Sequence, residues 1–202
     1  MHSSYVIRSN TSELPLSGTH NAGILAAVNN GRGVVGLVEG VSLHIAKVLG
    51  PVGDTITAEE FRAAVRGCIN VGANIINFAP VNDMVGGGTV DSQVLEDAVE
   101  EAFQAGLLVV AGAGDNAGKD VYYYPASYKT VISVTSIGDQ MNQDFNANVN
   151  DRIELSAPGI EIDSTWPAST YQLKSGTGVA ATHVSVSLYS VDLSLRILLT
   201  TN

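Results

Sequence analysis

Short runs rich in β-branched residues alternate with helix-period stripes along these 202 residues, and that alternation most constrains the fold. Strand candidates fall at residues 42–48, 74–78, 107–111, 130–135 and 152–155. Between the first two, Thr57 and Glu60 have the spacing of a capping box, and Phe61, Ala64, Val65, Cys68 and Ile69 then repeat with helical period. Leu95, Ala98, Val99, Ala102 and Phe103 form a second stripe, closed by Gly106 where a left-handed cap is expected. Parallel neighbours in a sheet need long crossover connections, and these helices supply them. The pattern predicts an α/β fold: a mainly parallel sheet with helices packed on its faces.

An apolar share of 45% against 15% charged residues describes a chain with a generous core, long enough for one sizeable domain. No internal repeat or long linker divides it. The formal net charge of −10 argues against nucleic acid, because few cations are available to displace counterions from phosphates. No run approaches the roughly 18 apolar residues of a membrane span, so no membrane partner is expected. Residues 1–15 are polar apart from Tyr5-Val6-Ile7 and do not read as a secretory signal, which leaves the Asn10-Thr11-Ser12 sequon without a glycosylating context. Compartment stays open. The single cysteine, Cys68, cannot form an internal bridge and reads as a packing thiol.

The longest glycine-rich loops, residues 79–88 and 112–119, both leave the carboxyl ends of predicted strands. In open parallel sheets ligands gather at those ends, so a site belongs there. Gly112-Ala113-Gly114-Asp115-Asn116-Ala117 matches a dinucleotide fingerprint, but Gly118 to Pro125 follows where a helix should begin. That continuation argues against phosphate binding.

Several segments, in order, resemble the subtilisin-like serine peptidases. Residues 17–27, beginning Ser17-Gly18-Thr19-His20-Asn21-Ala22-Gly23, are similar to the family's HGTHVAG helix, and residues 29–36 to its next loop. Residues 42–50, Ile75-Ile76-Asn77, residues 109–115, Tyr124-Pro125-Ala126, residues 155–159 and Ser175-Gly176-Thr177-Gly178 continue the match. The resemblance implies a three-layer fold over residues 17–202, lacking its first strands, with residues 1–16 unassigned. It also implies a cis bond at Tyr124-Pro125, and shortened last helices after Ser185 with a helix start at Asp192-Leu193-Ser194-Leu195.

For chemistry the resemblance implies an Asp, His and Ser triad with an oxyanion held by an Asn side chain and a backbone N–H. The chain departs from each position. Ser17 stands for the base, Gly178 for the nucleophile and Asp115 for the oxyanion Asn; the sixteen residues ahead of Ser17 contain no Asp. His20, three residues beyond Ser17, shares its helix face, but its family counterpart is structural. The cleft positions are Ala79, Pro80 and Val81 on one wall and Gly112, Ala113 and Gly114 on the other, and Pro80 removes a donor that peptide pairing would use. Val28, Asn30, Arg32 and Val34 resemble a calcium loop whose carboxylate is missing, which implies weak calcium binding at most. No cofactor is required. The expectation is a catalytically inactive homologue with peptide or protein as its partner and its oligomeric state open; the alternative is a serine endopeptidase with a rearranged site or one completed by another polypeptide.

Overall fold

The computed structural model describes residues 16–46, 56–78 and 88–200. Its elements are α1 (Leu16–Ala26), α2 (Ala58–Asn70), β1 (Ile75–Phe78), α3 (Gln93–Gln104), β2 (Leu108–Gly112), β3 (Val131–Ile137), β4 (Leu155–Pro158), β5 (Ile162–Trp166), β6 (Thr170–Lys174) and α4 (Thr177–Thr200). Strands β1 to β4 form a parallel sheet in sequence order, with Ile76 beside Val109 and Val109 beside Val131. This is the α/β arrangement the alternation predicts.

Parity along each strand decides which helix layer a residue meets. Ile76, Phe78, Val109, Ala111 and Val131 pack with Phe61, Val65 and Cys68 of α2 and Leu95, Ala98 and Val99 of α3. Ile75, Val110 and Val134 turn the other way, toward Leu25 of α1 and Ala180, Ala181 and Val184 of α4. Both faces are therefore covered, which is why the strands read as near-continuous apolar runs. Each fully buried Val, Ile or Phe contributes about 1.5–3 kcal/mol of transfer free energy. Asn77 is one of the buried polar residues of the sheet, with Ser133 and Ser136 of β3. Its amide donates to Thr182 Oγ1 at 3.0 Å and its oxygen accepts from Ser185 Oγ at 3.3 Å, tying β1 to α4.

The local signals behave as expected. Thr57 Oγ1 accepts from the Glu60 amide and the Glu60 carboxylate accepts from the Thr57 amide, completing the capping box of α2. Gly106 ends α3 at φ 83°, with its amide bonded to Phe103 and that of Leu107 to Ala102, a Schellman motif. The Tyr124-Pro125 bond is cis.

Other expectations need correction. Residues 41–46 are irregular rather than part of a strand at 42–48, and among the described residues no strand offers them a ladder; residues 47 and 48 lie outside the described residues. The strand expected at 152–155 starts only at Leu155, because Asn150 Oδ1 accepts the Arg152 amide and holds residues 150–153 in a turn. The antiparallel β5–β6 pair lies outside the strands that the sequence predicts. Asp192 lies inside α4 rather than at a helix start, since no Gly or Pro interrupts residues 179–200. No helix among the described residues is long and apolar enough to cross a membrane. The Asn10-Thr11-Ser12 sequon lies outside the described residues.

Candidate functional site

Helix α4 begins against the loop that leaves β2, and this junction is where the sequence motifs converge. Gly176, at φ 141°, lets the chain enter α4 while its amide donates to Gly159 O at 2.8 Å. The Thr177 amide, one of the unpaired donors of the first turn, donates to Asp115 Oδ1 at 2.9 Å. Thr177 is fully buried, and its Oγ1 in turn accepts from the Gly114 amide at 3.0 Å. Loop and helix thus cap each other. Gly178 follows in the first turn and brings no side chain; its carbonyl accepts from Thr182 Oγ1.

Asp115 has two opposed influences on its charge. Crowding of its carboxyl by surrounding atoms raises its pKa and the Asp144 carboxylate adds to that, while the Thr177 amide and Lys174 pull it down; the net shift is upward. Solvent still reaches Asp115, so the desolvation is partial. The positive end of the α4 dipole favours the charged form. Asp144 is itself held, accepting from Ser136 Oγ and from the Asn146 amide. Asp115, Asn116, Asp144, Asn146, Ser175 and Gly176 line a cavity of about 500 Å³ beside the junction.

The loop after β2 owes its shape to Asn148, a residue no sequence signal marks. Fully buried, Asn148 donates from Nδ2 to Ala113 O at 2.9 Å, accepts the Asn116 amide at Oδ1 at 2.9 Å, and donates its own amide to Gly114 O at 2.8 Å. No helix follows the Gly112 to Ala117 segment, which removes the dinucleotide reading.

Ser17 lies in the first turn of α1, and α1 packs against α4, so the elements carrying Ser17 and Gly178 are neighbours. His20 is committed elsewhere. Its Nε2 lies 2.9 Å from Ile162 O and 3.0 Å from Gln172 O; both are acceptors, so Nε2 carries the proton. Its buried Nδ1 has no partner among the described residues, and burial lowers its pKa. With Ser164 Oγ bonded to His20 O and Thr165 Oγ1 to Thr19 O, His20 clamps α1 onto the β5–β6 pair. The Ser17 side chain lies outside those described, and among the described side chains no serine hydroxyl is hydrogen-bonded to a histidine ring.

Gly112, Ala113 and Gly114 are buried along the junction; Ala79, Pro80 and Val81 lie outside the described residues. In the loop from Val28 to Val34, Asn30 Oδ1 accepts the Arg32 amide at 3.0 Å, closing a local turn. That stretch contains no carboxylate and adds the cationic Arg32, so by itself it does not fit a calcium cage. Among the described residues no group of three or more His, Cys, Asp or Glu gathers.

Comparison with known proteins follows the same lines. The profile of the Subtilase family matches residues 12–190. Subtilisin DY of Bacillus licheniformis is 34% identical over 171 residues, covering 83% of this chain and 60% of that protein. The thermostable alkaline protease of Halalkalibacterium halodurans is 36% identical over 168 residues, covering 83% of this chain and 44% of that protein. The chain therefore spans three fifths or less of these relatives. Among solved structures, the prenylagaramide maturation protease PagA superposes with a TM-score of 0.79 at 24% identity, covering 92% of this chain and 72% of that one. The self-cleaved protease domain of PatA gives 0.77 at 23%, covering 92% and 77%.

Proposed function

From the premise that the chain belongs to the subtilase family, we propose that it is a serine endopeptidase homologue that does not cleave peptides and acts, if at all, by binding peptide or protein. The observation that carries this is the Asp115 carboxylate seated on the Thr177 amide at the start of α4. In the family reading, that amide turn and an Asn side chain at the Asp115 position would meet the negative charge of a tetrahedral intermediate. A carboxylate at that position repels such a charge instead of meeting it with a donor. Gly178, one residue on, offers no hydroxyl to attack a carbonyl, and Ser17 offers no imidazole to activate one. Loss of nucleophile or base alone costs on the order of a millionfold, a figure measured on a subtilisin rather than on this chain. That corresponds to about 8 kcal/mol of transition-state stabilisation.

The test is exposure of the native chain to a fluorophosphonate probe, read by mass spectrometry. No serine is expected to be labelled. Covalent labelling of any serine, abolished by unfolding, would overturn the reading in favour of an endopeptidase with a rearranged site.

A further inference from the structure

An asparagine side chain can be attacked by the main-chain nitrogen of the next residue, and the fold decides where that attack is free to happen. The step needs a nitrogen that no hydrogen bond holds, a side-chain amide free to leave into water, and room at the residue that follows. Several asparagines fail the first condition. The Ala117 amide, after Asn116, donates to Asn146 O at 2.9 Å; the Ala147 amide, after Asn146, donates to Asp144 O at 3.1 Å; and the Val149 amide, after Asn148, donates to Lys119 O at 3.1 Å. Asn150 fails the second. Its Oδ1 accepts the Arg152 amide in a local turn, but its Nδ2 donates to Val121 O at 2.9 Å and is held in place.

Asn30 meets all three conditions. Asn30, Gly31 and Arg32 are exposed, and among the described residues neither the Gly31 amide nor Asn30 Nδ2 donates to an acceptor. Gly31 stands at φ 74°, and a Cβ built on it would meet nothing within 4 Å, so neither a side chain nor a neighbour obstructs the approach. The same turn that closes the loop also prepares the electrophile. The Arg32 amide donates to Asn30 Oδ1 at 3.0 Å, and that oxygen gathers negative charge as Cγ is attacked, so a fixed donor already faces it. Asn30-Gly31 is the sole Asn-Gly pair in the sequence.

We propose that Asn30-Gly31 is a self-modification site, at which the folded chain converts Asn30 to aspartate and isoaspartate with water as the co-reactant. The Gly31 nitrogen forms a bond to Asn30 Cγ and gives up its proton; the Cγ–Nδ2 bond breaks and the amide nitrogen leaves as ammonia with that proton, which closes a cyclic imide. Water then opens the imide at either carbonyl. Breaking the bond from the Gly31 nitrogen to Cγ leaves aspartate in an ordinary main chain, and breaking its bond to the Asn30 carbonyl carbon leaves isoaspartate, with the main chain routed through Cγ. One water is consumed and one ammonia released, without oxidation or reduction. Either product places a carboxylate in the stretch from Val28 to Val34, which has none. The proposal depends on neither the catalytic positions nor the cleft.

The test is incubation of the native chain in mildly alkaline buffer beside the same chain unfolded in guanidinium chloride, followed by peptide mass spectrometry and by methylation with protein isoaspartate methyltransferase. In the native chain Asn30 is expected to gain one mass unit at least as fast as in denaturant. Asn116, Asn146, Asn148 and Asn150 are expected to react about tenfold or more slowly in the native chain than in denaturant, because each must first open locally. Slowing of Asn30 by about tenfold or more on folding overturns the proposal, since it shows that the loop withholds the nitrogen. Equal native rates at Asn30 and Asn150 also overturn it, because the fold then selects nothing. Isoaspartate is expected at residue 30 beside aspartate, and aspartate alone would overturn the imide route.

Discussion

A carboxylate at a helix start and an amide there differ by one atom type, yet only the carboxylate makes stability depend on pH. Asp115 has a raised pKa, so the folded chain holds its proton more tightly than the unfolded chain does. Stability linked to this group is therefore greatest at low pH and declines as pH rises from the ordinary carboxylate value through the raised one. Asp115→Asn keeps an oxygen for the Thr177 amide and removes the titration. The variant is expected to equal or exceed the parent in melting temperature at neutral pH, with the difference shrinking as pH falls through that window. A parallel pair of melting curves at all pH values would show that the carboxyl is not perturbed. The same substitution, combined with Ser17→His and Gly178→Ser, is expected to leave peptidolysis undetectable. An imidazole with no acid to orient it loses about 10⁴ in kcat by the triad precedent, and residues 1–16 supply no Asp. Turnover of a chromogenic peptide by the triple variant would show that an acid comes from elsewhere in the chain.

At the scale of elements, what the sequence reveals depends on how far apart the partners are. The cap of α2 and the Schellman end of α3 are settled within a few residues, so their signals are sufficient. The segment at 42–48 has strand composition, but a strand also needs a neighbour, and among the described residues none pairs with 41–46. The β5–β6 pair escapes for the opposite reason. The alternating apolar residues of β6, Tyr171 and Leu173, are exposed rather than turned to a core, and the turn places Ala168 and Ser169 at φ 58° and 60° with no glycine to announce them. The site divides in the same way. Ser17, Asp115 and Gly178 are visible by position, whereas the bond from Asp115 to Thr177 spans 62 residues and the support from Asn148 carries no motif. His20 is the clearest case of an element-level role, since it fastens α1 to that exposed pair. Its pKa is lowered by burial from 6.5, so its contribution is fully present above that value and is lost as pH falls below it. His20→Asn should flatten the acid-side slope of the melting temperature. His183, half-buried and also lowered, contributes equally to both proteins and cancels in the comparison. An unchanged slope would show that His20 does not titrate on unfolding.

For the whole molecule, the sheet is a partition between two apolar layers, and its stability depends on both remaining sealed. Asn77 crosses that partition toward α4 through Thr182 and Ser185, while on the opposite side Cys68 belongs to a cluster of buried apolar side chains. Cys68 is fully buried and its thiol is pushed up to about 12 by the loss of solvent around it. A thiol so placed is neither accessible nor ionised in the native state, and it becomes reactive only when α2 and α3 leave the sheet. Because α2, α3 and β1 to β3 share one cluster, that opening coincides with loss of the core rather than with fraying of a loop. Cys68 is therefore a reporter of global stability. Its reaction with a disulfide reagent in native buffer is expected to be slower than in denaturant by the folding equilibrium constant, on the order of a thousandfold or more for an ordinary domain. Modest denaturant should accelerate labelling in step with loss of circular dichroism. Labelling at the free-thiol rate in native buffer would show that the α2–α3 layer does not seal the sheet.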